Sequence, residues 1–394
     1  MRNRLQHLRR DEQGMSLVFF GAGLIAFIAA ATLTIDVGMF MNARTQAQNS
    51  ADAGALAGVT GLVFNSFTNR ASSGPAVQGG INAAQANKVI GYAPTVTPAD
   101  VTFPLSPTGA SNRVKVDVHR AGPNAVQTLI GSLFGVPFVD INATATAEAS
   151  PANAMTCVKP FMIPDKWREV GTPPWDTADQ FNMYDNHGNL LPVSTRDVYV
   201  PAKNCGPHDT CPENPDYTGY TTGRDAGLRL TLRAGTGNEI NPSFYYSWKM
   251  PDDVGGNFYR ENIANCNQSK MHWYDVIIQE PGAMSGPTIQ GIEDLIAKDP
   301  NARWDTGCNC VKDSAFPISP RVFPIPLYDP KYYADGKANG RDADFRIANF
   351  LGFFAEPPSG NSIPGRITQI IGVVDDTAGP APDAMYPVSI RLVK

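Results

Sequence analysis

The sequence predicts an α+β protein in three successive parts: a long N-terminal transmembrane helix, a small α+β module, and a mainly β, disulfide-stabilised ectodomain. Three observations predict it. Met15 to Ile35 is one uncharged apolar run, MSLVFFGAGLIAFIAAATLTI; the chain beyond Ser150 breaks into short apolar runs between Pro and Gly; and all six cysteines lie after the apolar run.

The apolar run sets the topology. A helix rises ~1.5 Å per residue and the hydrocarbon core is ~30 Å thick, so residues 15–35 can cross a bilayer once. Arg2, Arg4, Arg9 and Arg10 precede the run in an arm of residues 1–14, and Arg44 alone follows it closely. The positive-inside bias therefore predicts a cytoplasmic N-terminus and an extracytoplasmic C-terminal domain. A cleaved signal peptide is the competing reading, because Ala29-Ala30-Ala31 would suit a signal peptidase. Against cleavage, the run is longer than a usual signal core and helix formers continue past it.

Residues 36–73 extend the same helix out of the membrane, giving one helix from about Met15 to Val63. Ala43, Ala47, Ala51 and Ala55 recur every four residues beside Ser50, Gly54, Ala57, Gly58 and Gly61, which makes a face almost without side-chain bulk. Such a face admits another backbone closely. Ala43, Ala47, Ala51, Gly54, Ala55 and Gly58 are thus helix-packing candidates, toward a partner helix or toward the chain's own downstream module. Asp36, at the outer end of the span, is a further candidate. It is expected to meet interfacial water, or else to pair with a basic group of a neighbouring helix.

In order along the chain stand Arg10-Asp11-Glu12-Gln13-Gly14, the apolar run, Asp36-Val37-Gly38, and Arg44-Thr45-Gln46-Ala47-Gln48-Asn49-Ser50-Ala51-Asp52-Ala53-Gly54-Ala55-Leu56-Ala57-Gly58. This succession resembles the N-terminal module of the TadG-like class of Flp (tight adherence, Tad) pilus-assembly proteins, over about the first sixty residues. The resemblance implies a bacterial inner-membrane protein working with a type IV-related pilus or Tad secretion apparatus, whose partners are the lipid bilayer and pilus machinery proteins or pseudopilins. It implies no chemistry. Two departures bound it. Pilins of this system are cut after a Gly and carry Glu at the fifth mature position, where cutting after Gly14 would put Phe19. The Asp-x-Ser-x-Ser string of the von Willebrand A domain found in many TadG-like proteins is absent.

Composition fits a folded ectodomain on one span: 42% of residues are hydrophobic and 18% charged. A formal net charge of -5 argues against nucleic acid as a partner. Cys157, Cys205, Cys211, Cys266, Cys308 and Cys310, even in number and confined to the exported part, read as a disulfide framework. Connectivity is left open, except that Cys308 and Cys310 are expected to reach different partners, since one intervening residue strains a bridge.

Between anchor and first cysteine, residues 74–150 read as a compact α+β module. Val77, Ile81, Ala84 and Val89 suggest a helix after Gly74-Pro75, and Val114, Val116 and Val118 alternate with Lys115, Asp117 and His119 as a half-buried strand. Val126, Leu129, Ile130, Leu133 and Phe134 suggest a second helix closed by Gly135. Ile141 to Ala149 alternates with polar residues as a strand with a small, Ala-rich face. The remainder, residues 155–394, reads as mainly β, with strands at Leu228–Leu232, Trp273–Gln279, Val322–Leu327, Phe345–Phe354, Ile367–Val374 and Val388–Val393. One helix is expected from Pro287 to Asp299.

The sequence predicts no catalytic residue, no cofactor and no metal site. The sequence has no HExxH, GxSxG, Walker A loop or CxxC pair. Cys205, His208 and Cys211, with His187 or the Cys308/Cys310 pair, could face one ion, but exported cysteines ordinarily oxidise. Asp335 to Asp344 has the rhythm of a calcium loop yet offers Arg346 where an EF-hand needs Glu. Asp176, Asp179, Asp185 and Asn186 read as a solvated acidic loop. The aromatic groups at 244–248, 272–274 and 332–333 read as core, with an exposed binding patch as the alternative. The function expected is therefore a non-enzymatic pilus-assembly component whose ectodomain contacts pilus or envelope partners; the alternative is an exported adhesin or binding protein tethered by the same helix.

Overall fold

A computed structural model describes residues 12–64, 69–107, 109–235, 237–251, 255–316, 318–338 and 344–393. The arginines of the N-terminal arm, Arg2, Arg4, Arg9 and Arg10, and the middle of the 335–344 loop lie outside these residues. The chain divides into two units: Met1–Leu62 with Ser66–Glu148 and Arg391–Lys394, and Val63–Asn65 with Ala149–Ile390.

The first unit is built on α1, Glu12–Phe64, a helix of 53 residues. Its first half contains no Gly/Pro break strong enough to stop it, and no charge between Met15 and Ile35, so nothing local ends the helix at the edge of the apolar run. Among the described residues it is the one helix long and apolar enough to cross a membrane. Large apolar side chains stand exposed all round it, among them Leu17, Phe19, Phe20, Ile25 and Phe27 at 70–75%, a surface of the kind that membrane-spanning helices present. Helix α2, Pro75–Ala86, starts on a proline at its first turn and buries Val77, Ile81 and Ala84.

Strands β1 (Val101–Thr102), β2 (Arg113–Arg120) and β5 (Ile141–Pro151) form an antiparallel sheet in that order, with the C-terminal strand Val388–Val393 on the far side of β5. Strict alternation of burial along β2 follows its Val/polar alternation. A small hairpin, β3 (Val126–Gln127) with β4 (Phe138–Val139), leads into β5.

The helix expected at 126–134 does not form. Val126 and Gln127 pair as a strand, and only Gly131–Phe134 makes a 3-10 turn, closed by Gly135 in the left-handed region at φ 81°. Its backbone donors are taken up otherwise: Thr128 N–H goes to the Pro137 carbonyl, and the Leu129, Ile130 and Gly131 N–H groups go to the side chain of Asp36. Gly131 is needed there, since a Cβ would lie 2.7 Å from the Val136 carbonyl oxygen and 2.8 Å from Thr128 Oγ1.

The second unit is mostly sheet. After β6 (Ala154–Met155), strands β7 (Phe161–Pro164), β8 (Arg229–Ala234), β9 (Phe244–Ser247), β10 (Met271–His272) and β11 (Val276–Ile278) precede a small hairpin, β12 (Arg303–Asp305) with β13 (Cys310–Lys312). Strands β14 (Val322–Tyr328), β15 (Asp344–Ala355) and β16 (Ser362–Thr368) then complete a seven-stranded mixed sheet in the order β11-β15-β14-β7-β9-β8-β16, with β15 also pairing β16. The added β15–β16 pairing joins the last strand of that order to the second, so β15, β14, β7, β9, β8 and β16 close on themselves with β11 outside at the edge of β15. Helix α3 (Gly256–Ala264) and α4 (Ser285–Lys298) pack together, and α5 (Pro330–Ala338) follows β14. The apolar runs at 228, 322 and 345 are strands as expected, whereas Trp273–Gln279 keeps only three residues of strand and the 367–374 run shifts toward 362–368. The C-terminal strand β17 is the 388–393 segment already placed in the first unit's sheet.

Candidate interface of the anchor helix

Ala43, Ala47, Ala51 and Ala55 are completely buried, and the partner is the chain's own module. Around Ala43 and Ala47 sit Val89, Val126 and Ile141, with Ala143 against them. Higher on the helix, α2 lies against the glycines. A Cβ on Gly54 would come within 3.0 Å of the Ala84 Cβ and the Gly80 carbonyl, and one on Gly58 within 2.7 Å of Val114 Cγ1. Ser50 Oγ, also fully buried, donates to the Ala84 carbonyl at 2.7 Å. The small stripe thus brings two helices and a sheet to backbone-contact distance, and this close fit exists because no side chain intervenes.

Asp36 is 2% exposed. It neither meets water nor pairs with a cation: its carboxylate accepts the consecutive N–H groups of Leu129, Ile130 and Gly131 at 2.7, 2.8 and 3.1 Å. The expectation of a solvated carboxylate fails because the 128–138 loop folds back over it and supplies three backbone donors in place of water. The sequence signal for this was weak: an uncharged loop with Gly131 and Gly135, ninety residues from its acceptor.

The opposite side of the helix beyond the apolar run is open. Met41, Asn42, Arg44, Thr45, Gln48 and Asn49 are exposed, and Gln48 Nε2 donates to Asp52 Oδ1 at 2.8 Å. The polar residues between the alanines therefore point outward, while Gln46 turns inward so that its Oε1 accepts Ile90 N–H at 2.7 Å.

In the second unit the six cysteines pair as Cys157–Cys266, Cys205–Cys211 and Cys308–Cys310. The last pair corrects the expectation of different partners: Asn309 takes a positive φ of 51°, and this tight turn brings neighbouring strand ends together. With Cys205 bonded to Cys211, that loop offers no thiolates to a metal, and among the described residues no three His, Cys, Asp or Glu side chains group as a metal site.

The aromatic groups are core: Phe244, Tyr245, Tyr246, Trp248, Trp273 and Tyr333 are each at most 6% exposed. Tyr333 stacks on Phe345 at 4.6 Å between ring centroids, in one cluster with Tyr246 and Tyr328.

Buried charge in this unit is also spent internally. Asp165 has no exposed surface; its oxygens accept Tyr199 Oη at 2.9 Å, Tyr217 Oη at 2.7 Å, and the Tyr220 and Lys166 N–H groups at 2.9 Å each. Burial outweighs these donors and pushes its pKa up to about 6. Lys159, with 3% exposure, donates to the Asn265 carbonyl at 2.7 Å; burial, helped by the charge of Lys298, lowers its pKa to about 7. An open groove of ≈ 530 Å³ includes Asp185, His187 and Lys337, but Asp185 Oδ1 accepts the N–H groups of His187 and Asn189 in its own turn and Oδ2 accepts Asn189 Nδ2.

Residues 14–61 match the profile of the Tad family, described as Flp pilus-assembly TadE/G-like. Comparison with curated proteins and with solved structures gives no match for the chain. The matched segment covers the apolar run, Asp36 and the small-residue stripe as far as Gly61. From Gly14 to Gly61, then, the chain is similar to the TadE/G-like Flp pilus-assembly family.

Proposed function

We propose that this protein is a non-enzymatic component of Flp/Tad-type pilus assembly, held in the bacterial inner membrane by α1 with its C-terminal domain in the periplasm. The observation that carries the reading is the coincidence of the family match at 14–61 with a helix whose apolar first half is exposed on all sides. A helix like this needs lipid or other transmembrane helices around it. Because the alanine and glycine stripe is covered by α2 and the sheet, contacts with pseudopilins or machine subunits fall to the exposed sides: the span itself and the polar row Asn42, Thr45, Gln48 and Asn49. Three disulfides suit the second unit to an oxidising compartment.

Deletion of the protein is expected to reduce surface pili, and re-expression with a photo-crosslinker at Asn49 to capture a Tad component. Normal piliation in the deletion strain overturns the assembly role. Surface-ligand binding by residues 155–394, with unchanged piliation, would instead favour the tethered adhesin.

A further inference from the structure

We propose that the loop between β3 and β4, residues 128–137, is a membrane-interface seat: an apolar tip that rests in the headgroup boundary of the bilayer crossed by α1. The inference rests on the reading of α1 as a membrane anchor and goes beyond it, since nothing in the family match reaches past residue 61.

The first support is height along the helix. Moving toward the membrane, Gln48 of α1 meets the Thr144 carbonyl, Phe40 to Arg44 lie beside Val139 to Asn142, and Met39 lies beside Val126 to Leu129. The Asp36 carboxylate then clamps Leu129 to Gly131. The hairpin thus descends along α1 and is tied to it at the first residue after the uncharged run. At ~1.5 Å per residue, Asp36 sits within about 2 Å of the end of that run, whereas the polar zone outside the hydrocarbon is about 5–7 Å deep on each side.

The second support is composition and exposure. From Ala121 to Val139 the chain has no charged residue, between Arg120 and Asp140. Leu129 is 59% exposed, Phe134 75%, and Val136 and Phe138 51% each. Three large apolar side chains held out on one short loop, with Phe138 beside them at the start of β4, are costly in water and favourable against acyl chains. Ile35, Val37 and Met41 of α1 are exposed at 53%, 49% and 69%, so apolar surface on the helix is present at the same level. Between helix and hairpin opens a groove of ≈ 460 Å³, lined by Met39, Leu129 and Phe138 and by Arg120, whose buried Nε has no hydrogen-bond partner. A groove with apolar walls at Met39, Leu129 and Phe138, polar Asn124, Gln127 and Thr128, and one cation, Arg120, lying over the Tyr92 ring fits a phospholipid better than a protein helix.

The test uses the full chain in phosphatidylcholine/phosphatidylglycerol vesicles, with an environment-sensitive fluorophore on single cysteines placed by Phe134→Cys, Gly23→Cys and Lys115→Cys; the six native cysteines are paired and do not react. Lipid-borne nitroxides at shallow and deep positions quench, and iodide reports water. The expected result is deep quenching at 23, shallow quenching with a blue shift at 134, and iodide quenching alone at 115. Quenching at 23 without lipid quenching at 134 overturns the seat and leaves the anchor standing. If 134 is shielded from both lipid nitroxides and iodide, a second copy covers the loop and the seat is overturned. Absence of lipid quenching at 23 overturns the anchor and the seat together.

Discussion

The two units of this chain are held by opposite means. In the first, the interior at the helix crossing is made of Ala, Gly and Ser, with backbone against backbone and one carboxylate tying a loop to a helix. In the second, the interior is made of large side chains, Tyr, Trp and Phe among Ile, Leu and Met, with all three disulfides and the buried Asp165 and Lys159. Shape complementarity without bulk depends on each small side chain staying small. Aromatic burial tolerates more but needs cross-links and polar networks to fix it. The comparison teaches where each unit will fail. All five Trp residues lie in the second unit, so tryptophan fluorescence reports that unit alone, while amide exchange of α2 reports the first.

The largest effect is expected from the cross-link that closes the longest loop. Cys157 and Cys266 are separated by 109 residues, for which the chain-entropy model gives about 4–5 kcal/mol. The double variant Cys157→Ser/Cys266→Ser should lower the urea midpoint read by tryptophan strongly and leave exchange protection of α2 unchanged. Loss of α2 protection in that variant would mean the units do not differ as argued.

The converse variant is Gly58→Val. Its Cβ would stand 2.7 Å from Val114 Cγ1 and its branches would collide further, so α2 and β2 must move away, at a cost of about 3 kcal/mol. Exchange of α2 amides should accelerate while the tryptophan midpoint stays put.

Much of this architecture was legible in the sequence because it rests on periodicity. The apolar run, the alternation of Val114 to Val118 and of Ile141 to Ala149, and the strands at 322–328 and 344–355 all appear where pattern alone puts them. What escaped was tertiary hydrogen bonding. The 126–134 segment has a helical spacing of apolar residues, but its amides belong to Asp36, ninety-odd residues away, and no local signal encodes such a partner. Likewise the burial of Asp165 depends on three tyrosines, Tyr199, Tyr217 and Tyr220, brought from a distant loop. Helices α3 and α5, short and weakly patterned, were also missed.

Acid should sharpen the contrast. With Asp165 at about 6 in the folded chain and 3.8 as its ordinary value, both states are protonated below pH 3.8. Between pH 3.8 and 6 the unfolded chain has released the proton that the folded chain keeps. Stability from this group is therefore complete below the lower value and is lost as pH rises through 6, by at most about 3 kcal/mol. Asp165→Asn should flatten that part of the tryptophan-monitored profile between pH 4 and 6.5. A wild-type profile with no fall in that window would remove the burial argument.

The smallest effect expected is also the most local. Asp36→Asn keeps size and one carbonyl oxygen but replaces the second acceptor with an NH₂ that faces backbone donors. At least one of the Leu129, Ile130 and Gly131 amides then loses its partner, and a charge-assisted set becomes a neutral one, at about 2 kcal/mol. Because Leu129 is more than half exposed, part of this cost is relieved when the loop swings toward solvent, so global unfolding should barely change. The readout is amide exchange at 129–131 in membrane-reconstituted protein: it should rise tenfold or more, with α2 protected as before. Unchanged exchange at those three amides would mean that the loop is held by its own turn and that the carboxylate merely rests against it. The distinction matters for how the first unit holds together, because this carboxylate ties the end of the apolar run to the loop before β4.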